Sequence, residues 1–275
     1  MTHVGRYRKN NEDAFLALVF DSIQVNYLGK IGSADFSVGD FVFAVSDGMG
    51  GANAGEYASR IVVDKITKLL PRSFKMRASG MQQGATDVLD ALVQETHDTM
   101  DLMGRNYEEI QGMGATLSLC WFHPGWLNFI HVGDSRIYYF PAAGGFKQIT
   151  QDHSYVGRLF RSGKINEREA RNHPQRNQIE QVVGGRHQKL EPQMGSIGYE
   201  IGDRFLICSD GVIDGLWDNG IEKIVRNPMP WLKGLPTAEA LVKESLSESG
   251  RDNITALVIE VIDGKMADVH REESQ

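Results

Sequence analysis

The run ATLSLCWFHPGWLNFIHVGDSRIYYFPAAGGFKQIT, residues 115–150, decides the fold. Its segments ATLSLCWF, WLNFIHVGD, RIYYF and FKQIT are rich in branched and aromatic residues and are separated by short Pro-, Gly-, Asp- and Ala-containing gaps. Such residues favour strands, and gaps of this length make hairpins. Parallel neighbours would need a crossover of a dozen or more residues, usually a helix, between consecutive strands. No such crossover fits, so this stretch reads as antiparallel sheet.

Working outward, DAFLALVF, SIQVNYL and FVFAVSD give further strands on the N-terminal side, and RFLICSD and ITALVIEVI on the C-terminal side. Ala58, Ile61, Val62, Ile66 and Leu69 recur at helical spacing, as do Val88, Leu89, Leu92, Val93 and Met100. They predict long helices near 54–70 and 86–104. Ala238, Leu241, Val242 and Ser245 repeat the pattern after a cap at Thr237 and before Gly250. Residues 166–169 form a capping box, Asn166 to Glu169, opening a short helix. PRSFKMRASGMQQG (71–84) reads as a polar loop between the long helices, and residues 263–275 as a solvated tail. Strands in runs, with helices grouped apart from them, point to an α+β fold in which antiparallel sheets are covered by helices.

Composition narrows the function. The 275 residues are 41% hydrophobic, enough for a sizeable core, and carry a net charge of -7, which argues against a nucleic-acid binder. No apolar run reaches membrane-spanning length, and the opening MTHVGRYRKNNEDAF lacks the apolar region of a signal peptide. Cys120 and Cys208 lie in apolar runs and read as buried free thiols of a reducing, cytoplasmic compartment.

The chemistry lies in acids at strand ends. FAVSD ends at Asp47, FIHVGD at Asp134 and FLICSD at Asp210, while DNITALVIEV begins at Asp252 and the first strand opens with Glu12 and Asp13. Any one Asp-Gly pair is an ordinary turn. Two copies of SDG after equally apolar strands are harder to explain that way. If these ends converge, several carboxylates share one site and cannot all stay ionised unaided. A hard divalent cation is the natural compensation, and all-oxygen donors favour Mg²⁺ or Mn²⁺. Zinc-ligand spacing is absent, and His131 and His153 stand as isolated residues. Glycines after Asp47 let the backbone approach such an ion, so the Gly48 carbonyl is a candidate ligand. Two ions bridged by one carboxylate suit hydrolysis of a phosphate ester by a shared water. Arg8, four residues before Glu12, is the candidate phosphate-binding guanidinium; as one base among several in RYRKNNED it also fits a plain surface charge.

The blocks RKNNEDAF, VSDGMGGANAG, GATLSL, HVGDSRIYYF, ITQDHS, LICSDGVIDGL and RDNITALVIEV, in this order, resemble the protein phosphatase 2C family, metal-dependent serine/threonine phosphatases, in its compact bacterial form. The resemblance covers roughly residues 3 to 262. It implies a four-layer α/β/β/α sandwich in one catalytic domain, residues 1–262. It implies that Asp47 bridges two Mn²⁺ or Mg²⁺ ions, that the Gly48 carbonyl binds one, and that Asp210 and Asp252 complete the other's shell. Glu12 would act on the second ion through water, with Asp13 supporting it, and Arg8 would grip phosphate. Asp134 and Asp210 would share a weaker third ion. Asn253 and Thr116 fall in the same blocks with structural roles. Phosphorylated proteins would be the substrates, a serine/threonine kinase would oppose the reaction, and the protein would be a monomer that engages neither nucleic acid nor membrane.

Two positions depart from the family pattern. Met49 stands where some relatives carry a histidine proposed to protonate the leaving group, and Ala52 replaces another histidine. A metal-bound water could take over that role, and His153 reads mainly as structural. Residues 157–185 match a bacterial flap and carry Arg158, Arg161, Arg168, Arg171 and Arg176, as expected either of a substrate-docking element or of a solvated helical hairpin. The rival functions are a non-catalytic phosphoprotein-binding module, which would have lost the metal acids, and a two-metal nuclease, which would need a basic groove.

Overall fold

The computed structural model describes residues 1–263 apart from 22, 30, 51–53, 79–83 and 186–188. The chain opens with β1 (Thr2–His3), β2 (Asp13–Phe20), β3 (Val25–Tyr27) and β4 (Asp40–Met49), followed by the long helices α1 (Ala54–Ala78) and α2 (Ala85–Asn106). Next come β5 (Gly114–Ala115), β6 (Leu117–His123), β7 (Trp126–Val132), β8 (Arg136–Phe140) and β9 (Lys147–Gln148), then short helices α3 (Tyr155–Arg161) and α4 (Glu167–Arg171). The remainder is β10 (Val183–Gly184), β11 (Gln193–Gly198), β12 (Arg204–Cys208), α5 (Asp210–Gly215), α6 (Asp218–Arg226), α7 (Thr237–Glu248) and β13 (Ile254–Glu260).

Two antiparallel sheets result. One runs β1-β13-β12-β8-β9; the other runs β10-β5-β4-β6-β7-β11, with β2 on β4 and β3 on β2. Strand alternation sorts the apolar side chains into three separate cores. Along β4, Val42 and Ala44 pack under α1 and α2 with Ile66, Leu89 and Val93, while Phe41 and Val45 face the other way. That inner face meets Ile137, Phe205, Ile207 and Leu257 of the opposite sheet. Leu206, Cys208 and Ala256 point outward again onto Val212, Ile224 and Leu241 of α5, α6 and α7. Three cores between four layers make the α/β/β/α sandwich, and both sheets are buried on both faces, which is why their strands read as near-continuous apolar runs. Trp121 is fully buried and donates its indole N–H to Asp40 at 2.9 Å; truncating such an aromatic typically costs about 3–5 kcal/mol. Both cysteines are buried and free, one in the middle core and one in the outer core.

Several local expectations are corrected. α1 does not stop before Pro71 but runs on to Ala78, because a proline removes one helix hydrogen bond while Arg72 to Met76 contain no further breaker. Pro236, not Thr237, occupies the N-cap position of α7. SIQVNYL contracts to Val25–Tyr27 and FKQIT to Lys147–Gln148, while QMGSIG, with little strand propensity, forms β11 by pairing with residues 126–131 of β7. The capping box at Asn166 and Glu169 is present. The tail from 264 onward and Ala52 lie outside the described residues.

Candidate metal centre

The acids meet where the two sheets end together. β2 and β4 pair in a register that sets Asp13 directly opposite Asp47. Asp47 is therefore inside β4, which continues to Met49, rather than at a strand tip. Asp13 Oδ2 accepts hydrogen bonds from Ser209 Oγ (2.8 Å) and Thr255 Oγ1 (2.6 Å), stitching β2 of one sheet to β12 and β13 of the other. Asn253 works the same seam: its amide oxygen accepts from the Glu12 N–H at 2.7 Å, and its NH₂ donates to the carbonyls of Val4 and Asn10. Thr116 Oγ1 accepts from the Asp47 N–H at 3.0 Å and meets Ser135 Oγ at 2.5 Å, tying Asp47 to the turn that carries Asp134. Thr116 and Asn253 thus hold the strands that present the acids.

Glycine lets the backbones close in. A Cβ on Gly48 would collide with the Gly55 carbonyl oxygen, and one on Gly55 would lie 2.8 Å from Glu12 Oε1 and from the Gly48 carbonyl oxygen. Gly48 also donates its N–H to the Glu12 carbonyl at 3.1 Å. The Gly48 carbonyl, Glu12 and the first turn of α1 are packed together because neither glycine carries a side chain.

The electrostatics are unbalanced. Burial, then repulsion from Asp13, Asp210, Asp134 and Asp252, pushes the Asp47 carboxyl well above the usual carboxylate range. Asp210 is raised likewise, by burial and then by Asp134, Asp252 and Asp214. Burial lifts Asp13 to about 6 against its two hydroxyl donors, and lifts Asp134 to about 7 with Asp152 adding to the shift. Glu12 is raised by burial, with Arg8 opposing. One oxygen each of Asp13, Asp134 and Asp210 is buried without a hydrogen-bond partner. Arg8 approaches from the edge and pairs with Asp252 at 2.6 Å, its side chain 48% exposed. Arg136 offers Asp134 no ion pair, because its guanidinium is fully engaged with Asp152, Tyr138 and Asp218.

The donor set fits a hard divalent cation. It is all oxygen and strongly anionic, with buried oxygens that lack a partner. Among the described residues no three Asp, Glu, His or Cys side chains are grouped closely enough to hold a metal ion as they stand; what the acids share is burial and mutual repulsion.

Sequence reasoning passed over two features. Asp214 lies one turn after Asp210 on α5, and its charge acts on both Asp134 and Asp210; the i, i+4 spacing in SDGVID was the available signal. His131 and His153 are not isolated, for their rings meet with centroids 4.9 Å apart, tilted by 48°. His131 is fully buried beside Ser118, and burial pushes it down to about 3. His153 brackets Gly133, accepting from its N–H and donating a backbone N–H to its carbonyl, and so fixes the turn before Asp134.

Known proteins share this architecture. A family profile described as protein phosphatase 2C matches residues 30–248. The serine/threonine protein phosphatase PstP of Mycobacterium tuberculosis is 30% identical over 262 residues, 94% of this chain but 44% of PstP, so the chain spans less than half of that relative's length. Protein phosphatase PhpP of Streptococcus pneumoniae is 29% identical over 259 residues, covering 94% of this chain and 95% of PhpP. A crystal structure of the PstP catalytic domain in complex with two manganese ions superposes with a TM-score of 0.71 at 28% identity, covering 96% of each chain.

Proposed function

Because this chain belongs to the protein phosphatase 2C family, we propose that it hydrolyses phosphoserine and phosphothreonine in proteins with Mn²⁺ or Mg²⁺ as its cofactor. The observation that carries this reading is the mutual repulsion of the buried Asp13, Asp47, Asp134 and Asp210, three of which, Asp13, Asp134 and Asp210, have a buried oxygen without a hydrogen-bond partner. A binding module on the same fold would have no use for such a costly cluster, and a nuclease sits poorly with a net charge of -7.

Asp47 and the Gly48 carbonyl would hold two ions together with Asp210, Asp252 and Glu12, and Asp134 with Asp210 a weaker third. Bound there, the ions lower the pKa of a water and neutralise charge on the phosphoryl oxygens. The chain's own groups do the rest. Asp13, braced by Ser209 and Thr255, fixes the start of β2, next to Glu12 and opposite Asp47 on β4. Arg8 is parked on Asp252, and once that carboxylate has a stronger partner its exposed guanidinium can take two phosphoryl oxygens in its planar fork. Met49 has no proton to give the leaving group, so a different donor has to serve.

Residues 1–262 act as one catalytic domain, with 157–185 as a flap beside the site. The protein works as a cytoplasmic monomer opposing a serine/threonine kinase, independent of nucleic acid and membrane. Among the described residues no helix is long and apolar enough to cross a membrane. A phosphothreonine peptide assayed with and without Mn²⁺ tests the proposal. Turnover should require the ion and vanish in Asp47→Asn. Full activity in excess chelator, after tightly held metal has been stripped, overturns it.

A further inference from the structure

Of the arginines in residues 157–185, Arg158 pairs with Glu180 at 3.0 Å and Arg161 donates to the Asp152 carbonyl at 2.7 Å, both within or beside their own segment. Arg171 does something different. From the last position of α4 it reaches across to another part of the fold. One guanidinium nitrogen donates to the Ile213 carbonyl at 2.6 Å and another to the Leu216 carbonyl. Its Cζ lies over the Trp217 ring, 4.2 Å from the centroid, and Glu167 pairs with it from the preceding turn at 3.4 Å. The side chain is only 18% exposed.

Those carbonyls close α5, the helix whose first residue is Asp210. A helix end leaves its last carbonyls without partners. Here two of them are met by a cation, which also suits the negative end of the helix. On the opposite side α5 is wedged against α7, where a Cβ on Gly215 would lie 2.7 Å from the Ser245 backbone. The start of α5 is fixed by Val212 in the outer core and by the close approach of Gly211 to the Asn253 backbone, while the Arg171 guanidinium is the tie between its far end and residues 157–185. The charge of Arg171 also reaches Asp214, opposing the burial that raises that carboxyl.

We infer that Arg171 is a positioning residue: it latches residues 157–185 to the C-terminal end of α5 and through that helix sets where Asp210 and Asp214 stand. The inference rests on the phosphatase reading for its catalytic consequence but not for the latch itself. A lysine cannot replace it, since a single ammonium neither forks onto two carbonyls nor lies flat on an indole.

Amide hydrogen exchange and steady-state kinetics on wild type, Arg171→Met, Arg171→Lys and the exposed control Arg168→Met test it. In Arg171→Met the Leu216 amide, which closes α5 by donating to the Val212 carbonyl at 2.9 Å, should exchange roughly 10- to 100-fold faster as hydrogen bonds to a charged group are lost. With p-nitrophenyl phosphate, kcat should fall about 10-fold while KM stays within about 2-fold, as for a group that acts through the site's geometry rather than on the substrate. Arg171→Lys should restore neither quantity, and Arg168→Met should match wild type in both. Unchanged Leu216 exchange in Arg171→Met overturns the latch, and full rescue by lysine reduces Arg171 to a mere charge and overturns it too. If wild type itself hydrolyses no phosphate ester, the proposed function falls, and the exchange rates still decide whether the latch exists.

Discussion

Replacing Asp134 by Asn should make the metal-free protein more stable, although it removes a residue proposed for the site. Asp134 is buried at one oxygen with no hydrogen-bond partner, and its carboxyl is raised to about 7 by burial and by Asp152. Its ordinary value is 3.8. Between those values the folded protein holds a proton that the unfolded chain has released, so stability falls as pH rises through the window and the penalty is complete above about pH 7. The full shift corresponds to about 4 kcal/mol at 1.36 kcal/mol per unit. Asp47 and Asp210 take up protons in the same repulsive cluster, so this is an upper bound, and about 2 kcal/mol is the working figure. For a chain of this size that is roughly 4–8 °C in Tm. Thermal or urea unfolding of both proteins in chelator, from pH 4 to 8.5, provides the measurement. Asp134→Asn should gain its advantage progressively above pH 4 and hold it at pH 8, and excess Mn²⁺ should raise the Tm of wild type more than that of the variant. A variant no more stable than wild type at pH 8, or one with the same advantage at pH 4, refutes the account of a destabilising, ion-seeking acid cluster.

Arg8→Ala should raise KM for a phosphopeptide roughly 10- to 100-fold, the range expected for a lost charged hydrogen bond. Mn²⁺ affinity should hold or tighten, since Asp252 loses a competing cation; kinetics at limiting substrate and calorimetry check both, and unchanged kinetics return Arg8 to the surface. Gly55→Ala places a methyl 2.8 Å from Glu12 Oε1 and the Gly48 carbonyl oxygen. It should cost about 1–3 kcal/mol of stability as overpacking and lower kcat by more than about 10-fold, so a fully active Gly55→Ala protein shows that this close approach has no catalytic role.

Much of this molecule is written locally. The strands between 115 and 140 and the helices over α1, α2 and α7 follow from β-branched runs and 3.6-residue periodicity, which depend on near neighbours alone. The acids Asp47, Asp134, Asp210 and Asp252 stand out because an ionisable residue ends or begins an apolar run. Other features depend on residues far apart in the chain. QMGSIG becomes β11 only because β7 offers an open edge. Asp13 faces Asp47 because of strand register, and its hydroxyl donors come from Ser209 and Thr255, 196 and 242 residues away. His131 meets His153, Arg136 chooses Asp152 over its neighbour Asp134, and Arg171 crosses to α5 for the same reason. Residue type shows which groups are able to ionise or donate. Which partners they find, and which oxygens are left buried with none, is set by the packing of two sheets against each other, and no spacing along the chain encodes it.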